Sequence, residues 1–194
     1  MQACRLAATD LACRRGDRVL FTHIGFALEP GDALHVAGAN GIGKSSLIRI
    51  LAGLLRPFAG QVDRAGDIAL LDERPALDLQ LPLRRALDFW RRIDARESVE
   101  SVLAHLHLEE LADVPVRYLS TGQRKRSAMA RLVGQQAHIW LLDEPFSGLD
   151  ENSRALIEDL CAGHIASGGI AVIASHQPFR LHNIRQLDLA EFVA

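Results

Sequence analysis

The sequence is short of several things, and each shortage excludes a class of protein. Among its 194 residues there are only three cysteines, Cys4, Cys13 and Cys161. An odd, widely spaced set builds neither a disulfide framework nor a zinc knuckle, so a reducing compartment and inert, buried thiols are expected. An excess of one charge is also missing, because 22 Lys+Arg stand against 24 Asp+Glu. Proteins that hold nucleic acid by its phosphates need a basic excess or a basic face, so no nucleic-acid partner is expected. No run of about 18 apolar residues is available to span a bilayer. The stretch 160–179 is free of Asp, Glu, Lys and Arg, yet it is broken by His164, Ser167, Gly168, Gly169, Ser175, His176 and Pro178. The first residues lack the apolar core of a secretory leader. Internal repeats and low-complexity segments are absent as well. What remains is a chain of one-domain length, able to bury roughly two thirds of its unfolded surface without staples.

The apolar pattern sketches an α/β fold. Leu28-Glu29-Pro30-Gly31-Asp32 is a turn cluster, and Ala33–Ala37 behind it reads as a short buried strand. It leads straight into Gly38-Ala39-Asn40-Gly41-Ile42-Gly43-Lys44-Ser45-Ser46. The period then changes: Leu47, Ile48, Ile50, Leu51, Leu54 and Leu55 fall at helical spacing, with Arg56-Pro57 as the expected stop. Short strands are predicted at 4–8, 18–20, 25–28 and 61–63, forming a small antiparallel sheet, and Ile68–Leu71 is a further buried strand. Residues 83–111 read as helical, with helices over 83–93 and 99–106, and another follows over 121–134. Strands return at 138–142, 169–174 and 185–189, with a helix at Glu151–Ala166. Strands alternating with helices imply a parallel sheet with crossover connections.

Gly38-x4-Gly43-Lys44-Ser45 is a P-loop pattern, placed between a strand and a helix as its chemistry requires. Glycines let successive backbone N–H groups converge on phosphates, and the helix N-terminus adds partial positive charge. Lys44 would reach the β- and γ-phosphates, and the Ser45 hydroxyl would ligate Mg²⁺. Further along, the apolar strand ending at Leu142 releases Asp143 and Glu144, and ligands of α/β sheets bind at the carboxyl ends of strands. Asp143 then suits the Mg²⁺ shell, and Glu144 suits a general base for water. The plainer alternative is a strand followed by a charged turn. Leu119-Ser120-Thr121-Gly122-Gln123 opens a helix, where Ser120 and Gln123 are spaced as a capping box.

The order P-loop, Leu-Ser-Thr-Gly-Gln, Leu-Leu-Asp-Glu-Pro, Ser-Gly-Leu-Asp and a final His resembles the ATP-binding cassette ATPases of membrane transporters. The resemblance covers nearly the whole chain. It implies an α/β P-loop fold with a mostly parallel core, an N-terminal antiparallel β subdomain and a helical insertion. One domain over 1–194 would then divide into a core at 1–75 and 136–194 and a helical part at 76–135. The cofactors implied are ATP and Mg²⁺. Gly38, Ala39, Asn40, Gly41, Ile42, Gly43, Lys44, Ser45 and Ser46 would cradle the nucleotide, with Ser45 and Asp143 on the metal and Glu144 and His176 catalytic. Ser120, Gly122 and Gln123 resemble the signature that contacts nucleotide held by a second copy, and Asp150 lies in the segment that couples the two copies. Membrane-spanning transporter subunits are the implied partners, with membrane contact only indirect, at the cytoplasmic face of a bacterial inner membrane. The short chain, Asp143-Glu144-Pro145-Phe146 and Ser175-His176-Gln177-Pro178 are similar to the haem-exporter branch used in cytochrome c maturation. Two rival classes are a non-hydrolysing nucleotide switch, against which Glu144 and His176 stand, and a soluble cassette acting on ribosomes or DNA.

Two departures from the family pattern stand out. Where an aromatic usually stacks on adenine, this chain has Arg15, whose planar guanidinium can also stack on a base. Where a Gln usually senses Mg²⁺, counting places Arg74, or else Glu73, and a cation cannot ligate a metal. Phe89 and Trp90 read as core residues or as anchors for a partner. Arg124-Lys125-Arg126 reads as a solvated helix face or as a source of positive field.

Overall fold

A computed structural model of the chain describes residues 4–72, 76–94, 97–179, 181 and 184–193. In chain order the elements are β1 (Arg5–Arg15), β2 (Arg18–Leu28), β3 (Ala33–Ala37), α1 (Lys44–Leu51), β4 (Ala59–Ala65), β5 (Ile68–Leu71) and α2 (Leu83–Arg91). There follow α3 (Val99–His105), α4 (Thr121–Gln135), β6 (Ile139–Asp143), α5 (Glu151–Ala166), β7 (Ile170–Ala174) and β8 (Arg185–Asp188).

Five strands form a parallel sheet in the order β5-β6-β7-β3-β8, and three form an antiparallel sheet in the order β2-β1-β4. Every residue of β6 and β7 is buried, as expected where helices or a second sheet cover both faces. Alternate side chains of β6 serve two different cores. Ile139 and Leu141 pack with Leu6, Leu11, Phe21 and Ile24 of the antiparallel sheet and with Leu47, Ile48 and Leu51 of α1. Trp140 and Leu142 pack with Leu83, Leu103, Leu106, Met129 and Leu132 of α2–α4. The loop between β3 and α1 rests on the core shared with the antiparallel sheet, through Ile42 and the close approach of Gly43 to Phe21.

Three expectations change. The strands predicted at 4–8 and at 18–20 with 25–28 are parts of two continuous strands of 11 residues each. Strict alternation fails because the pairing of β1 with β2 slips between Ala8 and Leu11, where Asp10 has φ 51°. A bulge of this kind bends the strand and exposes neighbouring residues in succession. The P-loop helix ends at Leu51 rather than at Arg56-Pro57. Gly53 at φ 77° turns the chain, the Leu54 and Leu55 amides both donate to the Arg49 carbonyl, and Leu54 is left 67% exposed. Phe89 is 55% exposed, so core packing holds only for Trp90, whose ring lies under the Arg131 guanidinium. Among the described residues no helix is long and apolar enough to cross a membrane. All three cysteines are buried, and burial pushes the Cys161 thiol up to about 12.

Candidate functional site

The P-loop leaves the end of β3, which lies between β7 and the edge strand β8 of the parallel sheet. Gly43, at φ 125°, caps α1, and a Cβ there would lie 3.1 Å from the Phe21 ring. Only glycine serves both the backbone angle and the close approach. Neighbouring strands deliver the charged residues. Asp143 ends β6, paired with Ala174 of β7, so Glu144 and His176 emerge side by side next to the loop.

Lys44 is 5% exposed. Its ammonium donates to the Gly38 carbonyl at 2.9 Å and the Ala39 carbonyl at 3.2 Å, and stands 3.2 Å from Glu144 Oε1. Glu144 in turn receives the His176 backbone N–H at 3.3 Å, and its Oε2 lies 2.9 Å from His176 Nδ1. A cation, a carboxylate and an imidazole thus form one chain of contacts at the rim of the loop. Glu144 sits at φ 45°, a left-handed conformation that non-glycine residues avoid, with its N–H donating to Ala174 O at 2.8 Å. Strain of this kind at about 1–3 kcal/mol persists where surrounding structure enforces it, and it aims a side chain.

Asp143 is 2% exposed, and its Oδ1 has no protein hydrogen-bond partner among the described residues. Burial raises its pKa, Asp72 and Glu144 raise it further, and a hydrogen bond from Ser45 and the Arg49 charge lower it. A buried carboxylate with one free oxygen beside a serine hydroxyl fits a hard divalent cation. Mg²⁺ needs few protein oxygens because it keeps waters and takes phosphate oxygens.

These residues line one cleft of about 750 Å³, together with Leu20, Asn40, Gly41, Gly43, Ser46, Thr121, Arg124, Lys125 and Ser147. The structure does not bring every expected residue there. Arg15 stands exposed at the end of β1, while Leu20 of β2 supplies the apolar wall. Ser120 and Gln123 are engaged with each other: Gln123 N–H donates to Ser120 Oγ at 3.2 Å, and Ser120 N–H donates to Gln123 Oε1 at 2.8 Å. Gly122 faces the Ser147–Asp150 segment, since a Cβ there would lie 3.7 Å from Gly148 O. Asp150 caps α5, its Oδ1 accepting from Ser153 N–H at 2.7 Å. The Glu73 and Arg74 expectation lies outside the described residues; the preceding Asp72 pairs with Arg49 at 3.2 Å.

The basic run after Ser120 is not a solvated face. Lys125 is 8% exposed, Arg124 donates to Leu119 O at 3.1 Å, and Arg126 donates to Leu106 O at 3.3 Å. Two of these cations line the cleft, and sequence spacing alone carries no signal that α4 turns them inward.

Comparisons place the chain among known proteins. Residues 21–147 match the ABC transporter family. The sequence is 57% identical over 192 residues, 99% of both chains, to the cytochrome c biogenesis ATP-binding export protein CcmA of Novosphingobium aromaticivorans. It is 50% identical to the protein of the same name in Zymomonas mobilis, over 98% of this chain and 86% of that one. The fold superposes with TM-score 0.73 on cbiO1 of Clostridium perfringens, part of the ABC transporter complex cbiONQ. That match has 24% identity and covers 89% of this chain and 78% of the other.

Proposed function

The chain belongs to the ABC transporter family, and from that premise we propose that it is the ATP-hydrolysing subunit of an exporter serving cytochrome c biogenesis, with haem as cargo. The observation that carries the catalytic reading is the Lys44–Glu144–His176 chain of contacts beside a buried Asp143 with a free oxygen.

On this reading residues 38–46 wrap the phosphates with backbone N–H groups. Ser45 and Asp143 would hold Mg²⁺, which neutralises phosphate charge when bound. Lys44 turns from Glu144 to the γ-phosphate, because a phosphate oxygen offers the ammonium a denser charge than a shared carboxylate. Glu144, freed of Lys44 and still held by His176, takes a proton from water as the water oxygen bonds to the γ-phosphorus. The bond from that phosphorus to the bridging oxygen breaks, and ADP and phosphate leave. His176 fixes the orientation of the Glu144 carboxylate and faces the γ-phosphate.

Ser120, Gly122 and Gln123 face away from their own P-loop in this reading and complete the nucleotide site of a second copy, with Asp150 at the seam. The membrane-spanning subunits sit against this cytoplasmic pair, at the inner membrane.

Glu144→Gln tests the chemistry. Removing a general base should lower ATP turnover by about 10²-fold or more while Mg-ATP still binds. Turnover near wild type would show that Glu144 is not the base. Co-purification with ribosomes rather than with membrane subunits would overturn the transport reading.

A further inference from the structure

Gln177-Pro178, the dipeptide after His176, has no part in the chemistry above, yet both residues are gripped by one side chain. Arg154 lies one turn into α5, its N–H donating to Asp150 O at 3.0 Å. Its Nη1–H donates to Gln177 Oε1 at 3.1 Å, and its Nη2–H donates to the Pro178 carbonyl. Its Nε–H donates to Glu158 Oε1 at 3.1 Å, and the guanidinium stands 5.0 Å from the centroid of the Phe146 ring. Phe146 packs on Phe179 with centroids 5.2 Å apart. The pair is well covered, with side-chain exposures of 18% for Arg154 and 11% for Glu158.

Upstream, the loop bearing His176 is fastened to the sheet, where Ser175 N–H donates to Val36 O at 3.2 Å and Gln177 N–H donates to Ser175 Oγ at 3.0 Å. Downstream, among the described residues, Arg154 fastens it through Gln177 and Pro178. A guanidinium suits this task because its planar fork holds three acceptors at fixed angles, which a lysine point charge does not. Glu158 keeps this largely covered cation paired.

We propose that Arg154 is a positioning residue. It straps the Gln177-Pro178 turn to the first turns of α5 and to Phe146, so the reach of His176 to Glu144 follows the position of the 146–150 segment. This rests on the reading of His176 and Glu144 as the hydrolytic pair. It also gives the Gln177-Pro178 dipeptide a physical purpose: a long acceptor side chain and a carbonyl, both offered to one arginine.

The test measures steady-state ATP hydrolysis and equilibrium binding of a fluorescent ATP analogue with Mg²⁺, using full-length chains carrying Arg154→Ala, Arg154→Lys, His176→Ala and the Arg154→Ala/His176→Ala pair. A misplaced catalytic group costs about tenfold to a hundredfold in kcat, so Arg154→Ala should fall by that much while nucleotide affinity is kept. Arg154→Lys should also fall, and the double variant should be no worse than His176→Ala, because both changes remove one function. Losses that multiply, or Arg154→Ala at wild-type kcat beside an impaired His176→Ala, overturn the proposal. If His176→Ala itself hydrolyses normally, the reading of the site falls and the role of Arg154 falls with it. Should Arg154→Ala fail to fold, Arg154→Lys and Gln177→Leu carry the same comparison, since each loosens the strap without emptying the arginine site.

Discussion

Asp143 holds a charge in an environment that opposes it. Its carboxyl is buried at the end of β6, crowded by Asp72 and Glu144, and offset only by Ser45 and Arg49. Asp143→Asn should therefore leave the nucleotide-free protein as stable or more so, since an amide carries no charge to desolvate. It should abolish the extra stabilisation that Mg²⁺ plus ATP gives over ATP alone. For a wild-type chain with Mg-ATP at about 100 times Kd the whole ligand stabilisation is about 2.7 kcal/mol, and the part owed to Mg²⁺ is read as the difference in melting temperature with and without the metal. An Asp143→Asn chain that still gains from Mg²⁺ would remove Asp143 from the metal site. At this scale the sequence was readable wherever function demands a fixed spacing. Asn40, Gly41, Gly43, Lys44, Ser45, Ser46, Asp143, Glu144 and His176 all line the cleft because β3, β6 and β7 are neighbours with buried, regular strands, while Gly38, Ala39 and Ile42 of the same run do not line it. Arg154 was not readable, because an arginine within a helix looks the same whether it faces water or grips a distant loop.

Helix α5 shows how elements are locked together away from the cleft. Near its end His164 stacks on Trp140 of β6 with centroids 4.0 Å apart and planes 6° apart, and lies 3.2 Å from Ile170 O of β7. Burial lowers its pKa from 6.5 to about 4. A folded-state pKa below the unfolded value means that the unfolded chain binds the proton more readily between these two limits. Stability is then fully present above about pH 6.5 and falls as pH drops toward 4, by about 1–3 kcal/mol. His164→Gln should flatten that part of the curve in denaturant titrations run across the range; an unchanged slope would show that His164 titrates freely. Element boundaries were legible where one period ran unbroken, as in Glu151–Ala166 and Ile68–Leu71. They were blurred where a bulge or a cap intervened. The register slip in β1 hid one long strand as a short one, and the turn at Gly53 cut α1 well before its apolar period ended.

For the whole molecule, the two sheets and the helices of residues 83–135 leave the P-loop face and the N-terminus of α4 on the surface, with Ser120 exposed. If Ser120, Gly122 and Gln123 complete the site of a second copy, Glu144→Gln with Mg-ATP should migrate in size-exclusion chromatography at twice the 21.3 kDa of one chain. The same variant without nucleotide should migrate as one chain, and failure of ATP to change its mass would sink the sandwich. No amount of sequence spacing shows this, since the two halves of such a site come from different molecules.

The contact between Lys44 and Glu144 has a kinetic meaning as well. On the proposed reading the phosphate anchor and the base are the two partners of this contact, so neither is at liberty to act before the contact breaks. A nucleotide too short to draw Lys44 away leaves the base in custody. On that reading, arrival of the terminal phosphate and release of the base become a single event.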